Sequence, residues 1–339
     1  MRFGAFVPQG WRMDLVGVDP ELHWGVMDGL ARRFDSNHAW ESLWVYDHFH
    51  TVPTPSDEAT HEAWSLMAAF GASTKRIRLG QMCTCMAYRN PAYLAKVAAT
   101  VDVISGGRVE MGIGAGWYEH EWRAYGYGFP AARDRLGMLR DGVEIMRQMW
   151  TQGRATHAGS YYTVDGAICA PRPLQGTSHP GSPRNGIPMW VAGGGEKVTL
   201  KIAAQYADYT NFFGDVAEFA RKDAILRDHC TALGRDESEI VRSANFNVLI
   251  GETHVEVDER IEEYVALRVR AGIAEAAARK EAAGFRAAGT AGTPEQVTQT
   301  LADYAKAGLG YAIVYFPEAA YDTTGIGVFE RGVMPHLRG

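Results

Sequence analysis

The chain has 339 residues, of which 46% are hydrophobic and 22% charged, a composition that supports a large packed core and excludes intrinsic disorder. Its 34 lysines and arginines against 40 aspartates and glutamates give a net charge of -6, which argues against nucleic acid as a partner. The four cysteines include no Cys-x-x-Cys pair, and no apolar run forms a signal-peptide core or reaches the ~20 residues of a membrane helix, so we expect a cytoplasmic protein without a membrane partner.

Short β-type runs alternate with longer helical patterns along the whole chain. The eight predicted strands are Arg2–Val7, Ser42–Tyr46, Arg76–Cys83, Arg108–Ile113, Ile187–Ala192, Tyr209–Phe213, Ile240–Ile250 and Tyr311–Phe316. Alternation of this kind predicts strand-crossover-strand units in a parallel sheet. Because an open sheet would use fewer strands or need a linker to a second domain, we expect one domain over residues 1–339, an α/β fold of the (β/α)8 (TIM) barrel class.

Helices and longer insertions are predicted between these strands. One helix begins after its cap, Asn90, and ends at Gly106, which suits the left-handed conformation of a helix end. The segments Pro171–Pro188 and Val255–Ala288 predict insertions in the βα connections. Long structured insertions of this kind often form lids or walls of a substrate pocket.

Two glycine clusters directly follow predicted strands and precede helices: Gly112 to Gly116, and Gly193 to Gly195. Glycines at such a turn let backbone N–H groups and the start of a helix face an anion, which predicts phosphate binding; the alternative is that they serve only a tight turn. The spacing G-x-G-x-G is not the dinucleotide fingerprint, and no P-loop motif occurs. Two clusters after consecutive strands favour a ligand site.

Titratable and aromatic residues end the second predicted strand, where a barrel places its chemistry. Alternation along the strand sends Asp47 and His48 to opposite sides. His48 is either a structural histidine or a pocket residue that exchanges a proton near neutral pH. Cys83 and Cys85 have no further ligands at metal-site spacing, and neither H-E-x-x-H nor G-x-S-x-G occurs, so we predict inert thiols and no metal site.

A series of short motifs carries a resemblance over essentially the whole chain. They are Met1-Arg2-Phe3-Gly4, Trp44-Val45-Tyr46-Asp47-His48, Arg76-Ile77-Arg78-Leu79-Gly80, Tyr88-Arg89-Asn90-Pro91, Gly114-Ala115-Gly116-Trp117-Tyr118-Glu119-His120-Glu121 and Ala192-Gly193-Gly194-Gly195. In this order and at these intervals, the chain resembles the bacterial luciferase-like superfamily of flavin and deazaflavin oxidoreductases. Within it, the chain is most similar to the actinobacterial branch that uses coenzyme F420.

The resemblance implies a planar cofactor ring across the strand ends of the barrel. It places Asp47 and His48 beside the ring and a cis peptide between Met82 and Cys83 beneath it. It also implies supports for the phosphate and tail of the cofactor at Gly114, Ala115, Gly116, Ala192, Gly193, Gly194 and Gly195. One position departs from the pattern. The similar sugar-phosphate dehydrogenase has a catalytic glutamate directly after the glycines of this strand, where the chain has Trp117, so we expect a flatter, more apolar substrate.

The activity that the resemblance implies is hydride transfer between ring carbon C5 of coenzyme F420 and a small organic substrate. His48 is the first candidate to exchange a proton, with Tyr118 and His120 in reserve, and Lys197 or Arg172 is expected to meet the anionic cofactor tail. One alternative keeps the fold and takes FMN, as a two-component monooxygenase. The other is a cofactor-binding protein without turnover. Relatives of this kind tend to form homodimers.

Overall fold

A ring of parallel strands closes on itself in the computed structural model, which describes residues 1–175 and 186–338. In chain order the strands are β1 (Arg2–Phe6), β2 (Ser42–Val45), β3 (Arg78–Gln81), β4 (Thr84–Cys85), β5 (Val109–Gly114), β6 (Arg154–Ala158), β7 (Thr163–Ile168), β8 (Met189–Ala192), β9 (Tyr209–Asn211), β10 (Val241–Asn247), β11 (Leu249–Ile250), β12 (Ala291–Gly292) and β13 (Leu309–Tyr315). Around the ring the order is β1, β2, β3, β5, β8, β9, β10 and β13, and β13 pairs with β1 to close it. The predicted (β/α)8 barrel is therefore confirmed.

Helices connect the barrel strands and cover the outside of the ring. Those of the described ranges are α1 (His23–Ser36), α2 (Ala63–Ser73), α3 (Pro91–Ser105), α4 (Glu119–Ala124), α5 (Ala132–Gln152), α6 (Thr199–Tyr206), α7 (Val216–Leu233), α8 (His254–Arg270), α9 (Glu275–Ala287), α10 (Pro294–Lys306), α11 (Thr324–Gly332) and α12 (Met334–Leu337). The predicted cap forms: Asn90 Oδ1 accepts the N–H groups at the start of α3, and Gly106 ends that helix with φ +71°. No helix in residues 1–175 or 186–338 is long and apolar enough to cross a membrane.

Aromatic side chains fill the interior of the barrel and leave its C-terminal mouth as the place for a site. The Trp190 and Tyr209 rings stack with centroids 3.9 Å apart, and Trp44 packs edge-on against Trp190. Below them, Trp190 Nε1 donates to Glu110, whose carboxylate also contacts Arg78. A separate and larger apolar layer lies between the strands and the surrounding helices. Because the lower barrel is plugged in this way, ligands can enter only from the end where the βα loops lie.

The structure differs from the predicted strands where the chain leaves the ring. The predicted strand Ile240–Ile250 divides into β10 and β11, because Leu249 and Ile250 turn out of the barrel to pair with β12. Of the predicted strand Arg76–Cys83, only Arg78–Gln81 forms β3, which ends just before the Met82–Cys83 peptide; that peptide is cis, as the resemblance implies. Within Val255–Ala288 the chain forms most of α8 and α9, and these two helices pack on each other. Most of the predicted insertion Pro171–Pro188 lies outside the described residues.

A buried acid at the loop after β13 gives a test of the fold. No hydrogen bond from a described residue reaches either carboxylate oxygen of Glu318, and burial raises its pKa to about 7. A raised pKa in the folded state means that stability is complete at low pH and falls as the pH rises toward 7. We therefore expect Glu318→Gln to raise the free energy of unfolding by about 3 kcal/mol at pH 8 and by less than about 1 kcal/mol at pH 5.

Urea unfolding at the two pH values measures this effect, with Glu259→Gln on the exposed face of α8 as the control. The control variant should unfold like the parent at both pH values. An equal shift for Glu318→Gln at pH 5 and pH 8 would mean that its carboxyl does not titrate in this range.

Candidate active site

A cavity of about 500 Å³ opens at the C-terminal ends of the barrel strands. It is reached from the side of the βα loops, which is where barrels of this class carry ligands. The side chains and backbone that line it are Trp11, Arg12, Tyr46, Asp47, His48, Met82, Cys83, Cys85, Tyr88, Gly114, Ala115, Gly116, Trp117, Tyr118, Glu121, Ala192, Gly193, Thr199, Asn211, Phe213, Asn245 and Asn247. Two of these, Trp117 and Phe213, are 62% and 60% exposed and form an apolar rim.

His48 is held in the cavity wall by a buried glutamate. Its Nδ1 lies 3.0 Å from Glu121 Oε2, and its ring stacks on Trp11 with centroids 4.7 Å apart. Burial opposes ionisation of Glu121, but hydrogen bonds from His48, Phe49 N–H and His50 N–H outweigh it and hold the pKa of Glu121 below its ordinary value. A carboxylate that fixes one imidazole nitrogen leaves the other for a reacting group. In the described chain, Nε2 of His48 has no hydrogen-bond partner.

Asp47 lines the same cavity as His48, and its carboxylate is held in the cavity wall. The strand alternation that was expected to send the two residues to opposite sides does not reach them, because β2 ends at Val45. Its carboxylate accepts two hydrogen bonds from Arg89, at 2.7 and 2.9 Å, and one from Cys85 N–H at 2.9 Å. Burial raises the pKa of Asp47, and the Arg89 guanidinium offsets part of that rise. The pair therefore positions the segment around Cys85, which continues from the cis peptide.

The two glycine clusters have different structural roles. A Cβ at Gly114 would lie 2.6 Å from Cys83 Sγ, and one at Gly116, where φ is +75°, would lie 2.5 Å from Cys85 Sγ. Glycine is required there because the strand ends pack closely. Gly193 has φ +113° and lies beside Thr199, in the first turn of α6, and both line the cavity. In the part of the chain that the structure describes, no protein acceptor binds the Thr199 hydroxyl.

The reserve proton groups lie in different places. Tyr118 lines the cavity and donates through its hydroxyl to the Pro53 carbonyl at 3.2 Å. His120 is exposed, and its Nδ1 lies 2.8 Å from His50 Nε2 on the outer side of α4. Burial is the largest influence on His50 and lowers its pKa, as His120 also does, while Glu121 opposes the shift. Tyr118 is thus within reach of a bound ligand, whereas His120 is one layer removed.

The structure brings most of the predicted site residues to one cavity. Those that line it are Asp47, His48, Met82, Cys83, Gly114, Ala115, Gly116, Tyr118, Ala192 and Gly193. Gly194, Gly195, His120 and Lys197 do not line it, and Gly194 instead packs against the Lys222 side chain. Arg172 lies away from the mouth, where it donates to the Gln152 carbonyl.

Sequence reasoning missed the partners that complete the cavity. Glu121 lies at the end of one of the motifs that carry the resemblance, but its role depends on contact with His48, which is 73 positions away in the chain. Arg12 and Thr199 were not considered; each follows a barrel strand by a few residues, which is the signal that points to the mouth of a barrel. Asn211, Asn245 and Asn247 line the opposite wall, where strand alternation and their polar type in β-rich segments mark them as inward-facing.

Known proteins share this architecture and part of the sequence. The chain is 32% identical over 171 residues to an F420-dependent glucose-6-phosphate dehydrogenase of Amycolatopsis mediterranei, an alignment that covers 50% of the chain and 47% of that protein. The chain thus spans about half the length of that relative. Two solved structures superpose over the full chain at 20% identity: an F420-dependent secondary alcohol dehydrogenase, with a TM-score of 0.75, and the monooxygenase RslO1 from Streptomyces bottropensis, with a TM-score of 0.77.

Those superpositions cover 99% and 100% of the two structures and establish the fold. The family described as luciferase-like monooxygenase matches residues 1–310, which is most of the chain. Members of this family include F420-dependent dehydrogenases as well as monooxygenases. The chain therefore belongs to the luciferase-like monooxygenase family.

Proposed function

We propose that this protein is a coenzyme F420-dependent oxidoreductase that transfers a hydride between the deazaflavin C5 and a small organic substrate. The observation that carries the proposal is His48, which lines the cavity with one ring nitrogen fixed by Glu121 and the other without a protein partner among the described residues. Similarity to F420-dependent dehydrogenases in sequence and in fold supports the choice of cofactor.

The residues of the cavity suit a flat ring with an anionic tail. Met82, Cys83 and Ala115 present an apolar wall, and burial raises the pKa of the Cys83 thiol to about 12, so that this wall is uncharged at neutral pH. At another wall, Gly193 leaves space that a Cβ would occupy 3.4 Å from Thr199 Cγ2. That space and the Thr199 hydroxyl would hold the tail, because a glycine turn before a helix start favours an anion.

When bound, the deazaflavin supplies a carbon that gives or takes a hydride. The chain itself supplies orientation, exclusion of water and a proton. Glu121 keeps the proton of His48 on Nδ1, so that Nε2 accepts a proton from a substrate hydroxyl during oxidation. In the reverse direction the same nitrogen donates the proton to a substrate oxygen. Stacking on Trp11 fixes the plane of the imidazole for either step.

Binding titrations with F420 and with FMN test the choice of cofactor. We expect F420 to bind the purified protein with a Kd at least about tenfold below that of FMN. Gly193→Ala should weaken F420 binding by at least about tenfold, because the new methyl group enters the tail site and the backbone there has a positive φ.

Gly234→Ala is the matched control, since that glycine also has a positive φ, +65°, but caps α7 in open space. It should bind F420 like the parent. Tighter binding of FMN, together with oxygen uptake in the presence of reduced FMN, would favour the monooxygenase alternative that the similarity to RslO1 represents. Absence of binding to both cofactors would refute the proposal.

A further inference from the structure

An arginine in the cavity wall has no acidic partner. Arg12 follows β1 and lines the cavity, and its Nη1 donates to Asn247 Oδ1 at 2.7 Å. Within residues 1–175 and 186–338, no carboxylate lies within ion-pair distance of its guanidinium. A guanidinium carries five N–H donors in a planar fork, so most of its hydrogen-bonding capacity is available to a ligand.

The groups that face Arg12 stabilise its charge, but none of them forms an ion pair with it. They are the phenols of Tyr315, Tyr46 and Tyr264 and the carboxyl of Asp14. The Asp14 carboxyl group already accepts hydrogen bonds from Gly10 N–H at 2.7 Å and from the Tyr315 hydroxyl at 2.9 Å, and burial raises its pKa. Asp14 therefore uses none of the N–H donors of Arg12, and an anionic ligand could form the direct ion pair that Asp14 does not.

The guanidinium is also held in place before any ligand arrives. It lies over the Tyr315 ring, 4.7 Å from the centroid, and near the Trp11 ring at 5.4 Å. The Arg12 carbonyl accepts a hydrogen bond from Arg268 at 2.8 Å, and Arg268 is itself paired with Glu281. A guanidinium whose position is already fixed by such contacts loses little conformational entropy when it binds an anion.

Arg12 lies across the mouth from the glycine turn. It follows β1, whereas Gly193 and Thr199 follow β8, and β8 stands four places from β1 in both directions around the ring. The cofactor tail at the glycine turn would therefore leave Arg12 free. The other acids of the cavity lining are already satisfied: Asp47 by Arg89, and Glu121 by His48 and its neighbours.

The geometry points to a substrate that carries a carboxylate, with Arg12 as the residue that binds it. This inference rests on the proposed function, because the carboxylate is placed on the substrate and not on the cofactor. Arg12 binds the carboxylate through two N–H groups, and the substrate's reacting carbon lies toward Trp11 and His48, which stack on each other. The apolar rim at Trp117 and Phe213 favours an aromatic or otherwise apolar body on that acid.

Ligand pairs that differ only in charge test the inference. The full-length protein, saturated with F420, is titrated with benzoate, 3-phenylpropionate and 2-naphthoate and with the amide of each, and binding is followed by tryptophan fluorescence, to which Trp11 contributes. We expect at least one carboxylate to bind about tenfold more tightly than its amide. In Arg12→Gln the preference should fall below about threefold, and in Arg12→Lys it should be intermediate, because a point charge remains without the fork.

The controls separate this inference from the proposed function. Arg32→Gln, on the outer face of α1, should keep the full preference. The Kd of F420, measured first on every variant, should stay within about threefold of the parent value in Arg12→Gln and Arg12→Lys. If F420 does not bind the parent protein, the proposed function fails and not the role of Arg12.

Three results would overturn the role of Arg12 while F420 still binds. The parent protein prefers none of the carboxylates over its amide, the preference survives in Arg12→Gln, or Arg12→Gln weakens F420 itself about tenfold, which would place the cofactor tail at Arg12. Should Arg12→Gln fail to fold by circular dichroism, Arg12→Lys decides: a preference between about threefold and tenfold supports the role of Arg12, and an undiminished preference overturns it.

Discussion

Replacing His48 with alanine is expected to lower F420-dependent turnover by about 10²–10⁴-fold while the Kd of F420 stays within about threefold. The loss follows because His48 is the cavity group whose second ring nitrogen is free of protein partners in the described chain, with Glu121 holding the first. Glu121→Gln should lose less, since the amide still reaches Nδ1 but no longer stabilises a protonated ring. Steady-state kinetics over a range of pH, with any substrate that the parent oxidises or reduces, measures both variants.

The matched control is His120→Ala, whose imidazole is exposed and paired with His50 outside the cavity lining. This variant should keep nearly full activity. A loss in His120→Ala as large as in His48→Ala would move the proton to the outer histidine pair. Full activity in His48→Ala would move the role to Tyr118, the reserve proton group that also lines the cavity.

Breaking the pair behind the cavity should have the largest effect on stability. Arg89→Met is expected to lower the free energy of unfolding by about 3–5 kcal/mol, because it leaves the Asp47 carboxylate buried without its partner. Removal of the guanidinium also lets burial raise the pKa of Asp47 further above its value in the unfolded chain. Stability is then lost as the pH rises, so the deficit of this variant should be greater at pH 8 than at pH 5.

Urea unfolding at both pH values measures this deficit. Arg32→Met provides the comparison, since Arg32 pairs with Asp28 on the surface and is mostly exposed, and its loss should change stability by less than about 0.5 kcal/mol. Equal, small effects of the two substitutions would mean that the pair of Asp47 and Arg89 does not stabilise the fold. Because this pair also holds Cys85 N–H, we expect Arg89→Met to weaken F420 binding even where the protein remains folded.

The barrel could be predicted because each strand appears as a local pattern in the sequence. Eight such strands that alternate with helices are the number that a closed (β/α)8 barrel has. The strand Arg2–Val7 is an example: β1 forms there and pairs with β2 and β13. The course of Ile240–Ile250 could not be predicted in the same way, since no glycine or proline separates Leu249 and Ile250 from the residues before them. These two residues leave the ring to pair with Ala291 and Gly292, which lie far along the chain.

The candidate site likewise combines features that one segment of sequence predicts with contacts between residues that are far apart in the chain. The position of Asp47 and His48 just after a predicted strand correctly places both residues at the mouth of the barrel. What each residue binds depends on Arg89 and Glu121, which approach only when the barrel closes. The positions of Gly114 and Gly116 in the sequence predict a support for an anion. Their close packing against Cys83 and Cys85 could not be predicted, because it depends on a neighbouring strand. Sequence patterns therefore locate the mouth of the barrel but not the pairs of residues within it.

A crystal structure of the protein with coenzyme F420 would test the proposed cofactor site. We expect density for the tricyclic ring in the cavity, with His48 on one side and the Met82–Cys83 segment beneath it, and density for the anionic tail at Gly193 and Thr199. Arg12 should remain free of the cofactor and open to a substrate acid. Density for the ring outside this cavity, or a tail bound to Arg12 in place of the glycine turn, would contradict the account.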